Sequence, residues 1–231
     1  MHRFIFWGGI ILIILTIFAL ADFIFYRIMR LFFKRKVARI IRTVTFSGIA
    51  IIIGVSYYYA HNVTRLDIEV KNVEIESNRL PQSFDGFKIA HISDFPLDSF
   101  DEDKETVDEI VDSILALKPD IICFSGDIVT MRSAQLIPYK EALSRLASTD
   151  IPVFTVMGNH DYADYSWGLD EEQRISDRDS LRMMLKECGW VQLDNINNAI
   201  CQDGDSIILV GVENIGEPPF SVYGDLSKAM N

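Results

Sequence analysis

Val153-Phe154-Thr155-Val156-Met157-Gly158-Asn159-His160-Asp161 is the stretch that decides the fold. Four apolar or β-branched residues make a short buried strand, and the chain then turns abruptly into glycine, amide, imidazole and carboxylate. Four consecutive special residues straight after a buried strand exceed what turn chemistry needs. Two earlier segments end in the same manner. Residues 87–92 (FKIAHI) read as a strand that runs into Ser93-Asp94, and 121–124 (IICF) as one that runs into Ser125-Gly126-Asp127. Amphipathic stretches lie between them. Over 103–117, Val107, Ile110, Val111, Ile114 and Leu115 share one helical face, acids occupy the first turn, and Pro119 ends the helix. Further helices are predicted over 133–147 and 171–188, the latter stopped by Gly189, and strands over 191–193 and 207–212. Leu66, Ile68, Val70, Val73 and Ile75 alternate with polar residues as an edge or hairpin strand. Strand–helix–strand alternation of this kind predicts an α/β sheet with helices on its faces.

In such sheets ligands gather at the carboxyl ends of the strands, so Asp94, Asp127, Asn159 and His160 are expected to meet in one crevice. Asp94 alone would read as a turn or cap residue. Gly126 and Gly158 permit the tight turns and close backbone approach that a site there needs. Oxygen and nitrogen donors converging on an acidic protein suggest hard or borderline divalent metals.

Charge is divided unevenly along the chain. Of 22 Lys+Arg and 33 Asp+Glu, residues 1–65 hold nine basic side chains and a single acid, Asp22. That leaves 13 basic and 32 acidic residues for 66–231, a net of -19. An apolar, basic head on an acidic globule predicts a membrane anchor (1–65) and one domain (66–231). The acidic part repels polyanions, which argues against nucleic acid as a partner and favours cations. Cys123, Cys188 and Cys201 have no zinc spacing and read as small buried hydrophobes, with a Cys188–Cys201 bridge as the alternative.

Residues 4–21 are uncharged, and the apolar run resumes after Asp22 as far as Phe25; 43–60 are uncharged too. Eighteen residues at about 1.5 Å each approach the roughly 30 Å of a hydrocarbon core. Two transmembrane helices, about 4–25 and 43–60, are expected, with Ala19-Leu20-Ala21 leaving a cleaved signal as the competitor. The intervening basic loop, Arg27 to Arg42, places itself in the cytoplasm, so the multi-pass chain would carry its acidic domain on the extracytoplasmic side.

These motifs resemble the calcineurin-like metallophosphoesterase family, in particular its membrane-anchored bacterial branch. That family orders D-x-H, G-D, G-N-H-[DE], a separate His and G-H-x-H. Here the blocks read Asp94-Phe95-Pro96, Gly126-Asp127 and Gly158-Asn159-His160-Asp161. The resemblance implies a two-sheet sandwich flanked by helices, with two divalent metals (Mn, Fe, Zn or similar) at the sheet crest. It implies that Asp94 binds the first metal, Asp127 bridges both, and Asn159 binds the second through its amide oxygen. His160 would act as general acid or stabilise charge at the phosphoryl group. Asp161 would orient its neighbours. The implied reaction is hydrolysis of a phosphomonoester or phosphodiester on a phosphorylated small-molecule or lipid-linked substrate.

Two departures temper that expectation. Pro96 stands where the family has a metal-binding His, and it offers neither a side-chain donor nor an N–H. Asp98 is either a substitute ligand or a cap. No histidine follows His160, so the later His blocks have no counterpart before Asn231. His91 reads as structural and His61 as interfacial. The expectation is therefore an incomplete domain with doubtful metal occupancy and weak or no turnover. The alternative is a non-catalytic membrane sensor or interaction module that keeps the fold.

Overall fold

A computed structural model of the chain describes residues 2–62, 69–148, 150–217 and 221–231, with the backbone alone for 2–15, 61 and 62. His61 and the Pro218-Pro219-Phe220 segment lie outside the described side chains. The chain forms two compact units, Met1–Glu69 and Val70–Asn231.

The first unit is a helical hairpin of α1 (His2–Phe32) and α2 (Arg35–Asn62). The expected basic loop is absent: Arg27 and Arg30 finish α1, Arg35, Lys36, Arg39 and Arg42 begin α2, and only Phe33 and Lys34 connect them. Arg and Lys are good helix formers and no Gly or Pro interrupts 26–42, so the helices run through the charged stretch. Phe46 of α2 meets Phe18 and Phe25 of α1 edge to face, with ring centroids 5.3 and 5.7 Å apart. The Arg42 guanidinium grips Asp22 through both carboxylate oxygens, at 2.6 and 2.5 Å, and lies 5.6 Å over the Tyr26 ring. This bidentate pair uses the lone acid of the segment to fix the register of the two helices. Among the described residues one segment, Arg35–Ala60, is long and apolar enough to cross a membrane, with a mean hydropathy of 1.7. Its Ile51, Ile52, Ile53 and Val55 are all exposed.

The second unit is built on a four-stranded parallel sheet in the order β1 (Ile89–Ile92), β2 (Ile121–Phe124), β3 (Val153–Thr155), β4 (Val191–Gln192). Period-two alternation divides its faces. Ile122, Phe124 and Val153 point into a core with Val107 and Val111 of α3 (Lys104–Ala116), Leu143 and Leu146 of α4 (Lys140–Ala147), and Leu181 and Leu185 of α5 (Glu171–Glu187). Ile121, Cys123, Phe154 and Val156 point the other way, onto Ile200, Ile207 and Leu209. Those three come from an antiparallel hairpin, β5 (Ile196–Gln202) and β6 (Asp205–Gly211), which forms the second layer. The last helix, α6, is the single turn Leu226–Ala229.

Several sequence expectations are corrected. The described part of the proposed 66–75 strand, from Glu69 on, is exposed and irregular. The 133–147 helix is divided: Ser133–Tyr139 is 3₁₀ and contains Pro138, whose missing N–H keeps the α-helix from starting before Lys140. β5 went unforeseen, because Asn197 and Asn198 dilute its apolar alternation. The cysteines form no disulfide, and Cys201 is exposed on β5 rather than buried.

Candidate functional site

The chemistry-bearing residues collect at the carboxyl edge of the parallel sheet, where three successive strands release their loops. Asp94 follows β1 with φ at 50°, and its N–H donates to Gly126 O at 3.2 Å, which fastens the first loop to the second. Ser93 Oγ donates to Asp94 Oδ2 at 2.7 Å. The second loop turns through Gly126 (φ 100°) and Asp127 (φ 59°). A methyl group at Gly126 would overlap the backbone of Gly158, and one at Gly158 would overlap the Asp127 carboxylate. The second and third loops are thus in backbone contact, and glycine is required on both sides.

Asp161 holds this contact together. Only 2% exposed, its Oδ1 accepts from Ile128 N and Val129 N at 3.0 and 3.1 Å, and its Oδ2 from Asp127 N and Gly158 N at 2.8 and 2.9 Å. Four backbone donors from two loops end on one carboxylate. Burial pushes its pKa up to about 6, against the opposing pull of those N–H groups.

Asp127 Oδ1 accepts from His160 N at 2.9 Å. His160 Nδ1 lies 2.9 Å from Thr130 O, so it is the protonated nitrogen, and Nε2 is the one available for exchange with a ligand. The ring also packs on Tyr165, centroids 4.7 Å apart. Asn159 donates its amide N–H to Tyr165 Oη at 3.1 Å, leaving its amide oxygen without a hydrogen bond among the described residues. One tyrosine therefore orients both the imidazole and the amide. Tyr165 and the Thr130 carbonyl escaped the sequence reading. Tyr165, four residues beyond Asp161 in the same loop, was the available signal.

A second network braces the loop from behind. Tyr162 donates to Glu213 Oε1 at 2.7 Å and stacks on Tyr223 at 3.7 Å, while Arg182 reaches Glu213 and Asp194, both at 2.8 Å. Burial and the Glu213 contact push the Tyr162 hydroxyl far above its ordinary pKa.

Other expected positions fall elsewhere. Pro96 precedes the 3₁₀ turn Leu97–Phe100, and Asp98, which accepts from the Thr130 hydroxyl, caps no helix; the cap of α3 is Asp103. His91 is exposed on the edge strand β1 rather than packed against the sheet, 2.8 Å from Ser125 Oγ.

The donor set does not fit a pair of metal ions. Among the described residues no three His, Cys, Asp or Glu side chains come together to hold even one. Asp94 and Asp127 are two carboxylates without an imidazole, and one oxygen of each is already hydrogen-bonded. Asn159 adds a neutral oxygen. Beside this crest opens a cleft of about 620 Å³ lined by Met131, His160, Tyr165, Trp167, Gly168 and Arg174, among others.

The crest is thus a parallel α/β sheet whose glycine-pinned strand ends present carboxylate, amide and imidazole. The chain belongs to the calcineurin-like phosphoesterase family, whose model matches residues 87–227. It is similar to two proteins of Bacillus subtilis (strain 168). One is the uncharacterized metallophosphoesterase YkuE, 35% identical over 124 residues, which cover 50% of this chain and 41% of that protein. The other is the uncharacterized metallophosphoesterase YkoQ, 24% identical over 186 residues, covering 80% of this chain and 64% of that protein. The chain thus spans less than two thirds of the length of either relative.

Proposed function

We propose that this chain is a membrane-anchored phosphoesterase domain whose metal site is depleted. The observation that carries the reading is the fusion of the Gly126-Asp127 and Gly158-Asn159-His160-Asp161 loops through Asp161, which holds Asp127 and His160 together in a family that hydrolyses phosphoesters. In this reading the cleft receives a phosphomonoester or phosphodiester, and His160, protonated on both ring nitrogens, donates a proton from Nε2 or stabilises charge at the phosphoryl group. Asp94, Asp127 and Asn159 are the oxygen donors that a divalent cation would meet. In this reading Pro96, which offers no donor beside Asp94, leaves turnover weak.

In the same reading α1 crosses the bilayer alongside α2. The basic hairpin tip then lies in the cytoplasm and the acidic unit on the opposite side. The apolar exposed surface of α2 and the neutralised Asp22–Arg42 pair support a lipid setting.

Hydrolysis of p-nitrophenyl phosphate and of its diester analogue, with and without manganese, tests the activity. Metal-dependent release that falls in His160→Gln supports it. No release above background, even in Pro96→His, would refute it. The second reading, a non-catalytic membrane module, is favoured by Pro96, which offers no metal donor beside Asp94. Calorimetry separates the two, since a module binds one metal weakly or none.

A further inference from the structure

The tip of the helical hairpin concentrates charge that its own unit leaves unanswered. Residues 27–42 carry seven cations and no acid, and Asp22, the single acid of residues 1–65, is already held by both arms of the Arg42 guanidinium. Arg30 spends one N–H on the Phe33 carbonyl, at 3.2 Å. Arg27, Lys34, Arg35, Lys36 and Arg39 are exposed, and none is ion-paired among the described residues. Arg27 and Arg30 are three apart on α1, and Arg35 and Arg39 four apart on α2, so each pair shares a helix face and repels along it. Between these cations in the chain stand Leu31 and Phe32, 80% and 73% exposed, and Phe33 follows them, exposed too. Water alone gives no reason for such an apolar cluster, and a protein interior gives none for the charge around it. Phe and Leu among Lys and Arg is the composition of a segment at a lipid–water boundary.

We infer that the hairpin tip binds the headgroups of anionic phospholipids. The uncharged stretch of α2, 43–60, is about 27 Å long, close to the roughly 30 Å of a hydrocarbon core. Seated there, it leaves Arg35 to Arg42 beside the lipid phosphates. Arg35 and Arg39 take phosphate oxygens as charge-assisted forks, and Lys34 and Lys36 add point charges. Each anion that arrives relieves the repulsion along the helix faces. α1 has 31 residues and runs for about 46 Å, too long to cross upright, so the hairpin tilts. Tilting lowers Leu31 and Phe32 towards the acyl chains, while the long cationic side chains reach back to the phosphates. The inference rests on the membrane-anchored reading and names the lipid that the anchor meets.

The test is electron paramagnetic resonance of the full chain in phosphatidylcholine nanodiscs that hold a trace of spin-labelled phosphatidylglycerol or spin-labelled phosphatidylcholine. The immobilised fraction should be about threefold larger for phosphatidylglycerol, and the excess should shrink in molar salt. Lys34→Gln, Arg35→Gln, Lys36→Gln and Arg39→Gln together should make the two fractions equal. Lys34→Arg with Lys36→Arg keeps the charge and should keep the excess. Gel filtration reports whether each chain enters the discs, and circular dichroism whether its helices form. A wild-type chain that enters the discs yet retains both lipids equally overturns the inference and leaves the anchor standing. An excess unchanged in the glutamine variant overturns it too. Loss of the excess to micromolar polyglutamate would assign the tip to an acidic protein segment instead of lipid. A chain that never enters the discs refutes the membrane anchor, and the inference falls with it.

Discussion

Replacing Asp161 by Asn asks whether one carboxylate clamps the two motif loops. The amide oxygen can keep one pair of donors, and the fully buried pair, Ile128 N and Val129 N, is the costlier to abandon. The new NH₂ then faces Asp127 N and Gly158 N, donor against donor. Two lost hydrogen bonds to a charged acceptor amount to about 3–6 kcal/mol. The neutral amide recovers part of this. Removing the charge also relieves the desolvation that raises the acid from 3.8 to about 6 in spite of those hydrogen bonds. The net loss is about 2 kcal/mol, which lowers Tm by roughly 4–8 °C for a domain of this size. Thermal unfolding of the full chain in detergent at pH 8, followed by near-UV circular dichroism, reads the first number. Amide hydrogen exchange locates it: protection should fall at Asp127 and Gly158 and persist at Ile128 and Val129. A Tm within a degree of wild type, with exchange unchanged at all four amides, would refute the clamp.

Gly126→Ala should lower Tm by more than Asp161→Asn, because it combines a positive φ with backbone overlap at Gly158; an equal or higher Tm would show that the loops can part. With a maleimide at pH 8, Cys201 should label within minutes while Cys123 and Cys188 stay protected, since burial raises both of their pKa values, that of Cys123 to about 11; fast labelling of all three would contradict the packing. Pro96→His should increase manganese affinity tenfold or more by calorimetry, and unchanged affinity would show that the first loop points its side chain away. Asp22→Ala should loosen the helical hairpin by leaving Arg42 unpaired, visible as faster proteolysis at Phe33–Lys34 in micelles.

The parallel sheet was legible because each strand is a short apolar run stopped by a glycine or a carboxylate, and the helices because α3 and α5 carry caps, Asp103 and Asp170, ahead of periodic faces. The site was legible as an order of motifs at successive strand ends. Its internal wiring was not. That Asp161 gathers four amides depends on two loops approaching to backbone contact, a long-range fact that no local pattern encodes. Tyr165 was missed because an aromatic in a loop has no period to mark it. β5 had a signal that went unused: Asp203-Gly204, both at positive φ (49° and 90°), is the turn a tight hairpin demands. The basic connector was misread because charge was taken to mean loop, whereas Lys and Arg prolong helices readily.

The order β1-β2-β3-β4 matches the order of synthesis, so each strand finds its neighbour already in place. A sheet of this kind can grow in one direction as the chain leaves the ribosome, without waiting for distant segments. The crossovers carry 28, 28 and 35 residues, and loop-closure entropy grows only slowly with such lengths, so no step is much costlier than another. The loops after β1, β2 and β3 join the crest one by one, and Asp161 is the last to arrive. Its four hydrogen bonds therefore act as a latch closed only once the three preceding strands are aligned.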